Sequence, residues 1–263
     1  MAYTGGNSGY VRRLGKIPSS GGGVPTEPVA GYSVWFSADD TGNVWQDVAK
    51  TTPAADGQPV RAWVSSRGTV NYETAQASGS TFPAYSVGPP AIVTSTPTRD
   101  GAFRKLTGGV ITDGVISPGG AAFTVFAVAK WTAANDTSAV GTNADFYVEQ
   151  RNQPGHIEMA MYDGAGHIPA LAGDYSGDLV IVTSMLSGGS GYIGVNDTRT
   201  ASLGSGTANA FHDSPLELMG SLGSRYLNGA LAEVIIYPTV LSEDNRKLTE
   251  QYLANKYGIT LPY

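Results

Sequence analysis

The sequence predicts an all-β protein: a two-sheet antiparallel β-sandwich, preceded by an extended N-terminal arm and closed by one C-terminal α-helix. Three observations lead there. Turn formers are abundant, with 35 Gly and 15 Pro in 263 residues, while charged residues make up only 14%. From Gly31 onward, short runs rich in Val, Thr and aromatic residues alternate with turn signals, and no repeat period suggests a propeller or solenoid. One segment, LSEDNRKLTEQYLANKYGI at 241–259, carries both a helical period and helical ends. A chain of this length can bury a substantial core, and all-β domains of that size commonly form one unit.

Residues 1–30 differ from the rest. They hold seven Gly, three Pro, the cations Arg12, Arg13 and Lys16, and a single acid, Glu27. SSGGGVPTEP (19–28) has the composition of a hinge, flexible at its glycines and stiffer near Pro25 and Pro28. The division expected is an arm and linker over 1–30 and one domain over 31–263. Composition alone fits a disordered arm as well as one ordered by a partner.

The clearest strands are AFTVFAVAKW (122–131), DFYVEQ (145–150), HIEMAMY (156–162), DLVIVTSML (178–186), GYIGVND (191–197), LELMG (216–220) and ALAEVIIY (230–237). Several are apolar on both faces. A strand with one wet face alternates, so runs such as LVIVT predict a sheet covered on one side by its partner sheet and on the other by the terminal helix. RNQPG (151–155) and YDGAG (162–166) supply turns for a meander.

The helix begins at the N-cap Ser242, places Glu243 and Asp244 in its first turn and Lys256 in its last, and stops at Gly258. Leu241, Leu248, Tyr252, Leu253 and Tyr257 are expected to face the sandwich. Arg246, Lys247 and Glu250 are expected to face away, with Glu243 and Lys247 paired at i,i+4.

Cysteine is absent, which removes disulfide and thiolate chemistry. Residues 1–20 hold no apolar signal-peptide run and no segment is long enough to span a bilayer, so neither export by a standard signal nor membrane embedding is expected. A net charge of −6 argues against a nucleic-acid partner. His156, His167 and His212 are too scattered for a zinc site, and GGSGY (188–192) ends in Tyr where a serine-nucleophile elbow ends in Gly. Asp39, Asp40 and Asp47, with Asn43, cluster hard oxygen ligands suited to calcium; an Asx-rich turn explains the same cluster. Trp45, Trp63, Tyr85 and Tyr175, with Tyr72, lie near predicted loops, where an exposed ring could stack on a sugar; packing in the core is the plainer role. Glu233, flanked by Leu231 and Ile235, is the carboxylate expected to be buried, held by backbone or an arginine.

The stretch NGALAEVIIYPTVLSEDNRKLTEQYLANKYGI (228–259) resembles the ending of laminin-G-like, concanavalin-A-like jelly rolls of the bacterial and tailed-phage branch. There a core strand with Ala-Glu-Val runs into Tyr, a Leu-Ser turn and a helix ending Tyr-Leu-x-x-Lys-Tyr; here these are Ala232, Glu233, Val234, Tyr237, Leu241, Ser242, Tyr252, Leu253, Lys256 and Tyr257. GYSVWFSADD (31–40) resembles the opening strand, GQPVRAWVSSRG (57–68) with FPAY (82–85) the next block, and FTVFAVAKW the central strand. Trp63 is followed by Val64 where the family has Asp. The resemblance implies that the last strand returns beside the first and that the helix covers the sheet. Glucan-cleaving relatives carry Glu-x-Asp-x-x-Glu on one strand, whereas VEQRN and IEMAM hold one acid each, so no enzyme activity is expected.

The function expected is a structural surface protein of a tailed-phage virion, a capsid decoration or head fibre. Arg12, Arg13 and Lys16 would dock the arm to other virion proteins, with the domain displayed outside the cell after lysis and a homo-oligomeric assembly. The alternative is a carbohydrate-binding adhesin or receptor-binding tail protein, with a cell-surface glycan as partner through Trp45, Trp63, Tyr85 or Tyr175. A glycoside hydrolase stands third. No cofactor is required, calcium aside.

Overall fold

The computed structural model describes residues 25–65, 72–75, 82–95, 103–104, 122–132, 137–142, 146–150, 157–161, 170–171, 175, 177–187, 190–200, 216–220 and 225–263. In chain order the strands are β1 (Val34–Ser37), β2 (Val44–Trp45), β3 (Ala62–Ser65), β4 (Tyr72–Ala75), β5 (Ala84–Ser86), β6 (Ile92–Ser95), β7 (Phe103–Arg104), β8 (Ala122–Trp131) and β9 (Thr137–Thr142). There follow β10 (Phe146–Gln150), β11 (Ile157–Met161), β12 (Ala170–Leu171), β13 (Leu179–Ser187), β14 (Ser190–Val195), β15 (Thr198–Thr200), β16 (Leu216–Leu218) and β17 (Gly229–Tyr237), then helix α1 (Glu243–Tyr257).

These strands form two antiparallel sheets. Sheet A has the order β15-β14-β13-β8-β17-β6-β5, and β1 also pairs with β17; sheet B has the order β12-β11-β10-β9-β16-β7-β4-β3-β2. Strands β1 and β6 share one edge of β17, β1 against Glu233–Ile236 and β6 against Gly229–Leu231. The last strand therefore lies beside the first. The turns RNQPG and YDGAG lie outside the described residues, as do all three histidines and Arg12, Arg13 and Lys16.

Strands β8 and β17 are apolar on both faces because sheet A has two cores. Phe123, Val125, Ala127, Val234 and Ile236 meet Trp63, Val140, Phe146, Val148, Leu216 and Leu218 between the sheets. Phe126, Val128, Ile181, Ile235 and Tyr237 meet Tyr252, Leu253, Ala254 and Tyr257 of α1 on the opposite face. Side chains of a strand alternate, so a sheet with two apolar neighbours reads as a continuous hydrophobic run. Burying Tyr252, Leu253 and Tyr257 contributes about 1.5–3 kcal/mol each.

The helix ends are as expected. The Ser242 side chain accepts the Asn245 N–H at 3.3 Å. Gly258 takes the left-handed conformation with φ 67°, and the Ile259 N–H reaches the Ala254 carbonyl at 2.9 Å. Glu243 and Lys247 pair at 2.8 Å.

The helix faces depart from expectation. Leu248 is 42% exposed, whereas Arg246 is only 2% exposed and Glu250 is fully buried. At 100° per residue, Leu248 stands about 200° from both Arg246 and Glu250, so one set must face solvent when the other faces the sheet. Partners on the sheet decide which.

The end of the predicted linker is docked. Pro28 is buried, the Val29 N–H donates to Thr249 Oγ1 at 3.4 Å, and the Val29 carbonyl accepts the Tyr237 hydroxyl at 2.6 Å.

Candidate ligand-binding face

The outer face of sheet A is closed by two polar clamps. The first is centred on Glu233. A β-bulge between Leu231 and Glu233 places both Ala232 and Glu233 toward α1, where strict alternation would turn Glu233 into the inter-sheet core. Its carboxylate accepts from Trp35 Nε1 (2.6 Å), Tyr252 Oη (3.0 Å), Tyr257 Oη (2.5 Å) and Lys256 Nζ (2.6 Å). Lys256 also donates to Ser37 Oγ at 2.8 Å and reaches Asp39 Oδ2 at 3.0 Å. Glu233 is the buried structural carboxylate the sequence suggests, with Lys, Tyr and Trp as its partners in place of backbone or arginine.

The second clamp explains the buried cation. Arg246 Nη1 bonds Asp197 Oδ1 at 2.6 Å and also Glu250 Oε2, while Glu250 accepts from Thr183 Oγ1 (2.7 Å) and Tyr263 Oη (2.9 Å). Asp197 is positioned by the two-residue turn Asn196–Asp197 between β14 and β15, where both residues have positive φ, 47° and 60°. The Asn196 side chain accepts the Ile181 N–H at 2.8 Å, tying that turn to β13. Burial of a charge requires paired, hydrogen-bonded partners, and the sheet supplies them.

Sheet B presents a different outer face. On β10, Phe146 and Val148 point into the core, so Tyr147 and Glu149 point out; Ile157 and Met159 likewise leave Glu158 outward, and Leu216 and Leu218 leave Glu217 outward. Register aligns them in two rows. Glu158 stands opposite Glu149, which stands opposite Ser138; Tyr147 stands opposite Gly141, which stands opposite Glu217, which stands opposite Arg104. A bulge on β9 makes the first row: Ala139 and Val140 both enter the core, which leaves Ser138 facing Glu149. Gly141 has no side chain between Tyr147 and Glu217.

Arg225 completes this face. Its carbonyl accepts the Ser138 N–H at 3.2 Å. Its Nη1 donates to both oxygens of Glu149, at 2.6 and 2.5 Å, and its guanidinium lies 4.8 Å from the Tyr147 ring centre. The Arg225 side chain is 18% exposed, whereas Glu149 is fully buried. Burial is the main cause that pushes the Glu149 carboxyl up to about 7; Arg225 opposes it, and the charge of Glu158 with a hydrogen bond between the two carboxyl groups adds to it. The face thus holds a planar cation on an aromatic ring beside a buried carboxyl group whose pKa is raised.

The residues singled out in the sequence fall elsewhere. Trp63 is fully buried and meets Phe36 edge-on at 6.1 Å, and Tyr85 is buried with its hydroxyl on the Ala38 carbonyl at 2.6 Å. Both fill the inter-sheet core, so neither offers a ring to a sugar. Trp45 is half-buried on the edge strand β2, Tyr175 is half-buried against the core, and the Tyr72 side chain lies outside the described residues. Asp47 accepts from Thr51 N, Thr51 Oγ1 and Thr52 N (2.8 Å for the last), so its carboxylate caps a turn, and the backbone N–H of Thr51 is the first cause of its lowered pKa. Asp39 pairs with Lys256. Asp40 precedes a single 3-10 turn over Thr41–Asn43. Among the described residues no group of three or more acidic or histidine side chains is placed to hold a metal ion, so Asp39, Asp40 and Asp47 do not make the calcium site their clustering suggested. Among the described residues, too, no helix is long and apolar enough to cross a membrane.

Tyr147, Glu149, Glu158, Glu217 and Arg225 were not singled out as candidates from sequence. The signal for three of them is a solitary Glu at the centre of a short apolar strand, as in FYVEQ, IEMAM and LEL, the pattern that does mark Glu233.

The sequence matches no protein-family model and no curated protein. The fold has solved counterparts. Domain 4 of AbnA, a GH43 extracellular arabinanase from Geobacillus stearothermophilus solved in complex with arabinotriose, overlaps 84% of this chain and 98% of that one, with TM-score 0.56 and 13% identity. The binding domain of Paraclostridial Mosquitocidal Protein 1 overlaps 86% of this chain and 52% of that one, with TM-score 0.50 and 10% identity. Trypanosoma rangeli sialidase in complex with the inhibitor DANA overlaps 91% of this chain with TM-score 0.45 and 15% identity, and the chain spans 35% of its length. The chain is thus an antiparallel β-sandwich with one C-terminal helix. It shares that architecture with domain 4 of the arabinanase.

Proposed function

We propose that this chain is a carbohydrate-binding β-sandwich domain, and that its ligand meets the outer face of sheet B at Tyr147 and Arg225. The observation that carries the reading is the guanidinium of Arg225 lying 4.8 Å over the Tyr147 ring while Glu149 fixes it from behind. A sugar ring is recognised by a flat π or cationic surface beside a few fixed donors; here the guanidinium of Arg225, whose side chain is 18% exposed, is the presented surface, and the Tyr147 ring, 9% exposed, backs it. Support comes from the fold it shares with an arabinanase domain solved with arabinotriose. The virion-display expectation gains nothing from the comparisons, and its docking residues Arg12, Arg13 and Lys16 lie outside the described residues.

Within this reading the domain binds without cleaving, since VEQRN and IEMAM hold one acid each where glucan-cleaving relatives of the fold carry three on one strand.

A glycan array followed by calorimetry with arabinotriose and other neutral oligosaccharides tests the reading. Tyr147→Ala and Arg225→Lys should each weaken binding at least about tenfold, since the ring that backs the guanidinium and the planar fork are lost, each variant still melting cooperatively. An array without bound glycan, or affinity untouched by both variants, overturns it.

A further inference from the structure

We propose that Asn228 and Gly229 form a latent self-modification site, held closed by β8 and converted to a cyclic imide and then to isoaspartate when the start of β17 opens. Asn228 is the one asparagine in the sequence that precedes a glycine. The chemistry needs only the chain and water. The Gly229 nitrogen, once its proton has passed to solvent base, attacks the carbonyl carbon of the Asn228 side chain. A C–N bond forms, the bond from that carbon to the side-chain nitrogen breaks, and the nitrogen leaves with a proton as ammonia. Water then opens the imide at either carbonyl, giving aspartate or, through isoaspartate, a main chain lengthened by one carbon. Glycine in second place favours ring closure, because no Cβ shields its nitrogen and its dihedrals are the least restricted.

The fold demands that glycine. Gly229 has φ 156°, and a Cβ there would collide with the Lys130 carbonyl oxygen and stand 3.2 Å from Trp131 Cα. The close approach of β17 to β8 therefore carries the labile pair with it. The same approach protects it. Gly229 lies in register between Ser95 of β6 and Trp131 of β8, so its backbone cannot turn toward the Asn228 side chain without leaving both ladders. Thr132 clasps the other reactant: the Asn228 carbonyl accepts the Thr132 N–H at 2.9 Å and its hydroxyl at 3.1 Å, and the Asn228 side-chain oxygen accepts the same hydroxyl at 3.0 Å.

Ring closure thus runs through local opening, at the intrinsic rate multiplied by the open population. It runs one way. The extra carbon of isoaspartate displaces Gly229 from its place beside Lys130, so a molecule that has opened and reacted cannot regain its register. The inference stands whether or not the domain binds sugar, because it concerns only the joint between β8 and β17.

Peptide mapping by mass spectrometry, on the full chain incubated in mildly alkaline buffer, follows conversion at Asn228. It should be at least about a hundredfold slower in the folded chain than in urea. Thr132→Val keeps the side-chain shape without the hydroxyl; it should speed conversion of the folded chain at least about threefold, the share of the open population that one hydrogen bond controls, and leave the rate in urea unchanged. Equal rates with and without urea, or a folded Thr132→Val chain no faster than the natural one, overturn the proposal. Should Thr132→Val fail to fold, hydrogen exchange of the natural chain decides: slowing that matches the protection of the Gly229 and Ala230 amides within about tenfold supports the site, and conversion faster than those amides open refutes it.

Discussion

Replacing Lys256 with Met should cost about 3 kcal/mol of stability. In the folded chain its ammonium lies 2.6 Å from Glu233 Oε2, and Glu233 has no exposed surface. Methionine retains the apolar stem but leaves that carboxylate buried without its cation. Removing one partner of a buried ion pair costs about 3–5 kcal/mol. The low end applies here, because Trp35, Tyr252 and Tyr257 still donate to Glu233. Losing the contact with the half-exposed Asp39 adds little, as surface pairs do. For a chain of 263 residues a loss of that size lowers the melting temperature by about 6–12 °C. Urea unfolding of Lys256→Met, Glu233→Gln and the double variant forms a double-mutant cycle. The double variant should recover at least about 1.5 kcal/mol relative to the sum of the singles, since neutralising Glu233 removes the unpaired charge. If Lys256→Met unfolds within about 0.5 kcal/mol of the natural chain, or if the two costs simply add, the clamp is not held by this ion pair.

The two leucines of α1 should differ sharply. Leu253→Ala removes a fully buried side chain and should cost about 2–5 kcal/mol, whereas Leu248→Ala, on the solvent side, should stay within about 0.5 kcal/mol by thermal or urea unfolding. Global stability should also carry the signature of Glu149. Its folded pKa, about 7, lies above the ordinary 4.5, so the folded state binds more protons in that window; its contribution is fully present below about 4.5 and lost as pH rises through 7. The difference in unfolding free energy between the natural chain and Glu149→Gln should therefore change by about 3 kcal/mol from pH 4.5 to pH 7.5, with the natural chain losing ground as pH rises. A difference independent of pH would show that the carboxyl titrates normally.

The clamp gives a physical reason for the resemblance noted in the sequence. Ala-Glu-Val on the last strand, the opening Trp35, and Tyr-Leu-x-x-Lys-Tyr on the helix are far apart in the chain, yet Glu233 bonds Trp35, Tyr252, Lys256 and Tyr257 directly. They are one hydrogen-bonded unit.

What the sequence determined by itself is local or statistical. Strand runs such as AFTVFAVAKW, the Ser242 and Gly258 caps, and double-sided hydrophobicity in LVIVT follow from backbone preferences and from periodicity within a few residues, so they can be read without knowing any partner. Tertiary structure alone decided the relations between distant segments. Arg246 is inside and Leu248 outside because Asp197 and Thr183 wait on the sheet; helical periodicity cannot see them. Glu149 and Glu158 meet because of a register between two strands, and Glu233 faces the helix because one extra residue bulges β17. Each solitary acid looks the same in sequence, and only its neighbours in the fold determine whether its charge is paired by lysine, as at Glu233, or bound by arginine, as at Glu149.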